Sequence, residues 1–350
     1  DIAMSLQKGE IVTLIGPNGG GKSTILKSIT KHLALLSGTV YLDGRDMSVM
    51  NGKEIATKMA VVLTERIRPE LMSCRELVAA GRYPYTGSFG RLTSHDREVV
   101  QKSLEAVNAM DIADKEITEI SDGQRQRIML ARAICQEPEI IVLDEPTSFL
   151  DIRHKIELLE ILRSMAKEKQ IAVVMSLHEI DLAERISDRI VCVKGNRIAA
   201  YGTPGEIFSD EMVRTLYEID ERKGSFHALT GSVELAKPVG TIQYFVIGGG
   251  GYGIRIYRML QKKGVPFAAG ILLWQDLECG TACALSDHVI IARPFCAIGK
   301  DELDAAKELI AKVPVVIDCG CPVGELNAAN EELIAWAKSQ GKKIEKPDFV

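Results

Sequence analysis

Long apolar runs are missing from this chain. The longest, such as Val265 to Trp274, stop far short of the roughly 18 residues a helix needs to cross a bilayer. The sequence therefore predicts no membrane span, and any membrane role calls for a separate chain. A basic excess is missing too. Lys and Arg number 43 against 48 Asp and Glu, and the net charge of −5 argues against nucleic acid as a partner, which needs a basic face. No secretory leader stands at the start, and there is no internal repeat or low-complexity tract. The chain opens on Asp1 rather than Met and enters a strand almost at once, so further N-terminal strands are expected before it. The eight cysteines match no standard zinc or iron–sulfur spacing and fit reduced cytosolic thiols.

What the chain does have is length and apolar content. Its 350 residues predict two domains, and 46% hydrophobic content is enough for sizeable cores. The stretch IVTLIGPNGGGKSTILKSIT, residues 11–30, organises the first of them. Ile11 to Ile15 reads as a buried strand and the run from Ser23 as a helix. Between them Gly16, Pro17, Asn18, Gly19, Gly20, Gly21, Lys22, Ser23 and Thr24 fit the phosphate-binding loop G-x-x-x-x-G-K-[ST]. The glycines let successive N–H groups turn inward on a phosphate chain, and the following helix adds its positive end. Lys22 can reach the β- and γ-phosphates and Ser23 can place a hydroxyl on Mg²⁺. The alternative is a plain glycine turn between strand and helix.

Ile140 to Leu143 delivers Asp144 to a sheet edge, where it can hold Mg²⁺ through water, and Glu145 next to it can polarise an attacking water. Ser121, Gly123 and Gln124 open a helical run and make a second anion site. Two phosphate sites in one chain are explained by a head-to-tail dimer, in which one copy's Ser121 segment closes over ATP held by the other. The bland alternative is an ordinary capped helix. Further expected elements are strands at Lys58 to Thr64 and Ile171 to Ser176, a helix from His95 to Met110 started by a Thr93–Asp96 capping box, a helix at His154 to Lys169 and a hairpin at Gly195-Asn196. The result is an α/β body with a helical insert at about 66–120.

Residues 1 to about 220 resemble the ATP-binding subunit of an ABC transporter. GPNGGGKST matches the Walker A motif, ISDGQ the family signature, IIVLDEP the Walker B motif, SFLD (Ser148 to Asp151) the D-loop, and His178 the switch histidine, all in family order. The resemblance implies ATP sandwiched between two copies, Glu145 as catalytic base, His178 on the γ-phosphate and Asp151 at the nucleotide interface. It also implies polytopic permease partners, an indirect link to a substrate-binding protein, and a peripheral place on the cytoplasmic face of the membrane. The segment GRYPYTG, Gly81 to Gly87, narrows this to ATPases serving iron-siderophore, haem and cobalamin importers, the alternative at that segment being a local turn with packed tyrosines. For the chain as a whole the rival is a non-transport ABC ATPase acting as a soluble switch. Two positions depart from the family. Glu65 replaces the usual Gln and is expected to keep metal binding. Asp122 replaces a signature Gly and is expected to turn outward to solvent or an Arg. The family's adenine-stacking aromatic is expected before Asp1.

The predicted organisation is an ATPase domain over 1–230, a polar linker at 231–240 and a small Rossmann-like α/β domain over 241–350. In the last, Gly248, Gly250 and Gly253 satisfy G-x-G-x-x-G between a strand and a helix, a candidate site for a nucleotide or similar small ligand, with Asp276 or Glu278 placed for a ribose. The alternative is a glycine-rich crossover that lets helix and strand pack. Cys279, Cys283, Cys296, Cys319 and Cys321 also fall here and are read as free thiols ahead of a metal or redox site.

Overall fold

The computed structural model describes residues 3–63, 72–87, 90–220, 222–228 and 231–347. They form two compact units, Asp1–Met212 and Val213–Val350.

The first unit is built on β1 (Ile11–Ile15), whose five residues are all buried. Chain order then gives α1 (Lys22–Ile29), β2 (Tyr41–Leu42), β3 (Arg45–Asp46), α2 (Gly52–Ala56), β4 (Met59–Val62), α3 (Cys74–Ala79), α4 (Ser94–Ala106), α5 (Asp122–Cys135), β5 (Ile140–Leu143), α6 (Ile152–Lys169), β6 (Ala172–Ser176), α7 (Ile180–Ile186), β7 (Arg189–Lys194), β8 (Arg197–Gly202), α8 (Pro204–Ile207) and α9 (Asp210–Tyr217), which runs on into the second unit. The main sheet runs β4-β5-β6-β1-β7-β8, parallel except for β8. Continuous apolar runs such as Ile140–Leu143 suit strands covered on both faces. Val12, Leu14, Val142, Val174 and Val191 pack under Ile25 and Leu26 of α1.

The helical insert is α3, α4 and their connecting turns. Capping boxes at Ser73–Glu76 and Thr93–Asp96 start both helices. The predicted helix to Met110 stops at Ala106, and Asn108 takes a left-handed φ of 52°. Arg82 of the GRYPYTG segment is 2% exposed. Its guanidinium reaches Asp96 Oδ1 at 2.8 Å, Glu137 Oε2 at 2.7 Å and the Cys135 carbonyl at 2.8 Å.

The second unit follows with β9 (Gly224–His227), β10 (Ser232–Leu235), β11 (Tyr244–Ile247), α10 (Ile254–Lys262), β12 (Phe267–Leu272), α11 (Cys279–Leu285), β13 (His288–Ile291), α12 (Lys300–Ala311), β14 (Val315–Asp318), α13 (Ala329–Ser339) and β15 (Lys343–Glu345). Its sheet runs β13-β12-β11-β14-β15 with every pairing parallel, the doubly wound order whose crevice lies at the carboxyl ends of the strands. Phe245 and Ile247 face α12 and α13 through Leu303, Ile310 and Leu333, and Val246 faces α10 and α11 through Ile256, Leu260 and Leu285. The expected boundary at 230 and linker at 231–240 need correction. The division lies between Met212 and Val213, and the expected linker holds β10, the second strand of the antiparallel β9–β10 hairpin. It is anchored by a charge: Glu234, 5% exposed, pairs with Arg258 of α10 at 2.5 Å. An inward-pointing carboxylate in a short polar strand does not read as a buried face.

Candidate nucleotide site

The loop after β1 is shaped by close approach. Gly16 has φ 145°, and a Cβ there would lie 2.0 Å from the Val193 carbonyl oxygen on β7. Gly19 and Gly21 also take left-handed φ values, 75° and 104°. Asn196, at the β7–β8 turn, donates its N–H to the Gly20 carbonyl at 3.1 Å and buttresses the loop. Pro17 and Asn18 fill the loop between Gly16 and Gly19, and Thr24 lies in the first turn of α1. Lys22 is 5% exposed and turns back to donate to the carbonyls of Gly16 at 2.7 Å and Pro17 at 3.1 Å. Burial pulls its ammonium below the ordinary value, and the charges of Glu145 and Asp144 push it back up.

The neighbouring strand ends complete the group. Ser23 Oγ donates to Asp144 Oδ1 at 3.1 Å. Ser176 Oγ, at the end of β6, donates to the same oxygen at 2.7 Å and accepts the Glu145 N–H at 2.9 Å. Glu145 takes φ 50°, and its two carboxylate oxygens meet His178 Nε2 at 2.6 Å and Ser148 Oγ at 3.2 Å. Residues 121 positions apart in sequence thus meet because β1, β6 and β5 are adjacent and parallel. From sequence Ser176 is placed only as the end of an expected strand, without a role in the site. The signal available was that it ends an apolar strand two residues before His178.

Ser121 and Gln124 behave differently. They form a reciprocal capping box at the start of α5, and none of the hydrogen bonds described for them reaches residues 16–24. Gly123 packs beside His154, which Asp151 caps at 2.9 Å. Asp122 pairs with Arg125 at 3.0 Å, in line with the expected outward turn. Glu65 lies outside the described residues.

Hydroxyl and carboxylate oxygens at Ser23 and Asp144 are the hard donors that Mg²⁺ selects. Among the described residues no group of three or more His, Cys, Asp or Glu is placed to hold a metal ion. A magnesium ion there would draw its other ligands from phosphate and water, its usual arrangement.

The glycine loop of the second unit is engaged from within. Gly253 donates its N–H to Glu278 Oε2 at 2.7 Å and Gly250 donates to Asp276 Oδ2 at 2.6 Å. Glu278 is fully buried, its other oxygen accepts Tyr257 Oη–H at 3.0 Å, and a Cβ on Gly248 would come within 2.2 Å of it. Two acids read as ribose ligands are instead bound to the amides of Gly250 and Gly253, which takes up two of the donors a pyrophosphate would use. The second-unit cysteines are free thiols, and burial raises those of Cys279 and Cys319 to about 12.

A phosphate-binding loop beside two acids at the end of a parallel sheet defines a nucleotide hydrolase of the P-loop class. The ABC transporter family profile matches residues 1–148, and that of the MJ0874 family matches residues 267–346. The chain is 44% identical over 272 residues to the uncharacterized ABC transporter ATP-binding protein MJ0873 of Methanocaldococcus jannaschii, covering 77% of this chain and 93% of that one. It is 37% identical over 220 residues to the iron(3+)-hydroxamate import ATP-binding protein FhuC of Bacillus subtilis, 63% of this chain and 82% of the relative. The cobalamin import ATP-binding protein BtuD of Halobacterium salinarum is 29% identical over 327 residues, 90% of this chain and 81% of the relative. Among solved structures, the dimeric post-hydrolysis state of the ATP-binding cassette MJ0796 bound to ADP and Pi superposes with TM-score 0.52 at 25% identity, covering 57% of this chain and 88% of that one. The chain belongs to the ABC transporter ATP-binding proteins and is a nucleotide-binding ATPase of that family. None of its described helices is long and apolar enough to cross a membrane.

Proposed function

We propose that this chain hydrolyses ATP to power import of an iron chelate or a cobalamin, bound to membrane permease subunits on their cytoplasmic side and fed indirectly by a substrate-binding protein. The observation that carries the ATPase reading is the assembly of Lys22, Ser23, Asp144, Glu145 and His178 at adjoining strand ends. The cargo reading rests on the named relatives and on the GRYPYTG segment. There the buried Arg82 holds the turn, Tyr85 hydrogen-bonds Gln136 at 2.9 Å, and Tyr83 stays 79% exposed, available to a partner helix.

In this reading Gly16 to Gly21 wrap the phosphates. Lys22 exchanges its bonds to the Gly16 and Pro17 carbonyls for β- and γ-phosphate oxygens. Ser23, and Asp144 through water, would hold Mg²⁺, which when bound would supply positive charge to the phosphates. Glu145 accepts the proton of the attacking water, and His178 holds the Glu145 carboxylate in place and meets the γ-phosphate. A second copy supplies Ser121, Gly123, Gln124 and Asp151. The capped helix start at Ser121, none of whose described hydrogen bonds reaches its own chain's phosphate loop, supports that arrangement.

Two substitutions test it. Lys22→Ala should weaken ATP binding roughly tenfold or more, the scale of a charge-assisted hydrogen bond. Glu145→Gln should keep ATP bound, slow hydrolysis by ~10²-fold or more and promote ATP-dependent dimers seen by light scattering. A Glu145→Gln protein that hydrolyses normally and stays monomeric would overturn the composite site. ATPase stimulation by ferric siderophore or cobalamin in a reconstituted complex separates the cargoes.

A further inference from the structure

We infer that Ser176 is a positioning residue for hydrolysis, one hydroxyl that sets both the metal-side carboxylate of Asp144 and the backbone of Glu145. This rests on the reading of Glu145 as the group that takes the water's proton. Ser176 is the last residue of β6 and is fully buried. The β5–β6 register pairs Leu143 with Met175, so the next step brings Asp144 beside Ser176. A serine hydroxyl has one proton. Because the Glu145 N–H at 2.9 Å is the donor to Oγ, the hydroxyl's own proton goes to Asp144 Oδ1 at 2.7 Å. The same atom thus accepts from one residue and donates to the next.

The consequence for Glu145 is conformational. Its φ of 50° is the left-handed region that a glutamate rarely adopts. That turn lifts the side chain out of the strand's alternation and sends it to His178 and Ser148. It also aims the Glu145 amide at β6, where Ser176 receives it. The left-handed turn and the hydroxyl form one device, and Asp144 is tied to it through the shared oxygen that Ser23 also reaches at 3.1 Å. An apolar residue at 176 would leave the Glu145 amide without its acceptor and take from Asp144 Oδ1 one of its donors.

The test uses the full chain with Ser176→Ala, Ser176→Cys and Ser176→Thr. Ser176→Ala should lower the hydrolysis rate roughly tenfold or more, the scale expected for stranding a buried polar group. Its affinity for a fluorescent ATP analogue in EDTA should stay within about twofold of wild type, because no phosphate contact is touched. Mn²⁺ titrated against the complex with a non-hydrolysable ATP analogue, read by electron paramagnetic resonance, should bind more weakly. Ser176→Thr, which keeps the hydroxyl, should restore both rate and Mn²⁺ affinity. Ser176→Cys keeps the volume with a weak donor and should behave like Ser176→Ala. If Ser176→Ala and Ser176→Cys lower only the melting temperature and leave rate and Mn²⁺ affinity unchanged, the inference fails. Glu145→Gln is the control. If it also hydrolyses normally, the reading of the site fails, whereas impaired Glu145→Gln with normal Ser176→Ala overturns Ser176 alone.

Discussion

At the scale of single residues, the phosphate loop separates glycines that are needed for space from one needed only for backbone angle. Gly16 combines φ 145° with a carbonyl oxygen 2.0 Å from any Cβ, and Gly19 combines φ 75° with open surroundings. Gly16→Ala should therefore cost on the order of 3 kcal/mol in urea unfolding and abolish ATP binding, since sheet and loop must part. Gly19→Ala should cost about 1 kcal/mol and leave binding measurable. The motif showed that glycines were required. It did not show which carbonyl made Gly16 irreplaceable, because that oxygen belongs to Val193, far along the chain. Ser176 escaped notice for a related reason: its two partners, Asp144 and Glu145, come from another strand.

At the scale of elements, the helical insert and the second glycine loop both turn on buried charge. The Thr93 amide and hydroxyl and the Arg82 guanidinium hold Asp96 at about 2, below its ordinary 3.8. A depressed carboxylate stabilises the fold above its unfolded value, and that contribution is lost as pH falls through the folded one. Acid unfolding of the insert should therefore begin below about pH 4 and steepen toward about pH 2. Removing Arg82 strands Asp96 and the Cys135 carbonyl, so Arg82→Ala should cost about 3 kcal/mol, read by chemical denaturation. The capping box was legible because Thr and Asp sit three apart before an apolar helix. The burial of Arg82 was not, since its partners lie on α4 and at and just past the end of α5. Glu278 has the opposite sign. Burial raises its carboxyl above the ordinary value. The folded state keeps that proton to higher pH than the unfolded chain, so stability of the second unit falls as pH rises through the interval. Glu278→Gln should remove this slope in urea titrations run upward from the ordinary carboxylate range.

At the scale of the whole molecule, one largely parallel and one wholly parallel sheet lie in one chain, and each has its own core. The isolated 213–350 segment should unfold in a single cooperative thermal transition, and equilibrium dialysis should find no NAD or ATP bound to it, because Asp276 and Glu278 already hold the loop's amides. Alternation of strand and helix made both α/β units readable, and the ordered motifs made the first one's chemistry readable. The extent of the second unit was misjudged because Glu234 and Arg258 fasten a polar hairpin to it, and polar texture looks like a connector until its partner is known.

The central place of β1 has a consequence during synthesis. Its neighbours are β6 and β7, and the pairing begins at Ile11 with Val173 and Val12 with Arg189. β1 leaves the ribosome long before β6 and β7 and must therefore wait for strands from far down its unit. At about 5–20 residues per second, the separation amounts to roughly ten to thirty seconds with an unpaired apolar strand in the open. Premature termination between Thr24 and Ala172 would release a chain that carries the phosphate loop yet lacks the strands that flank β1, a product fit for chaperones and proteases rather than for ATP.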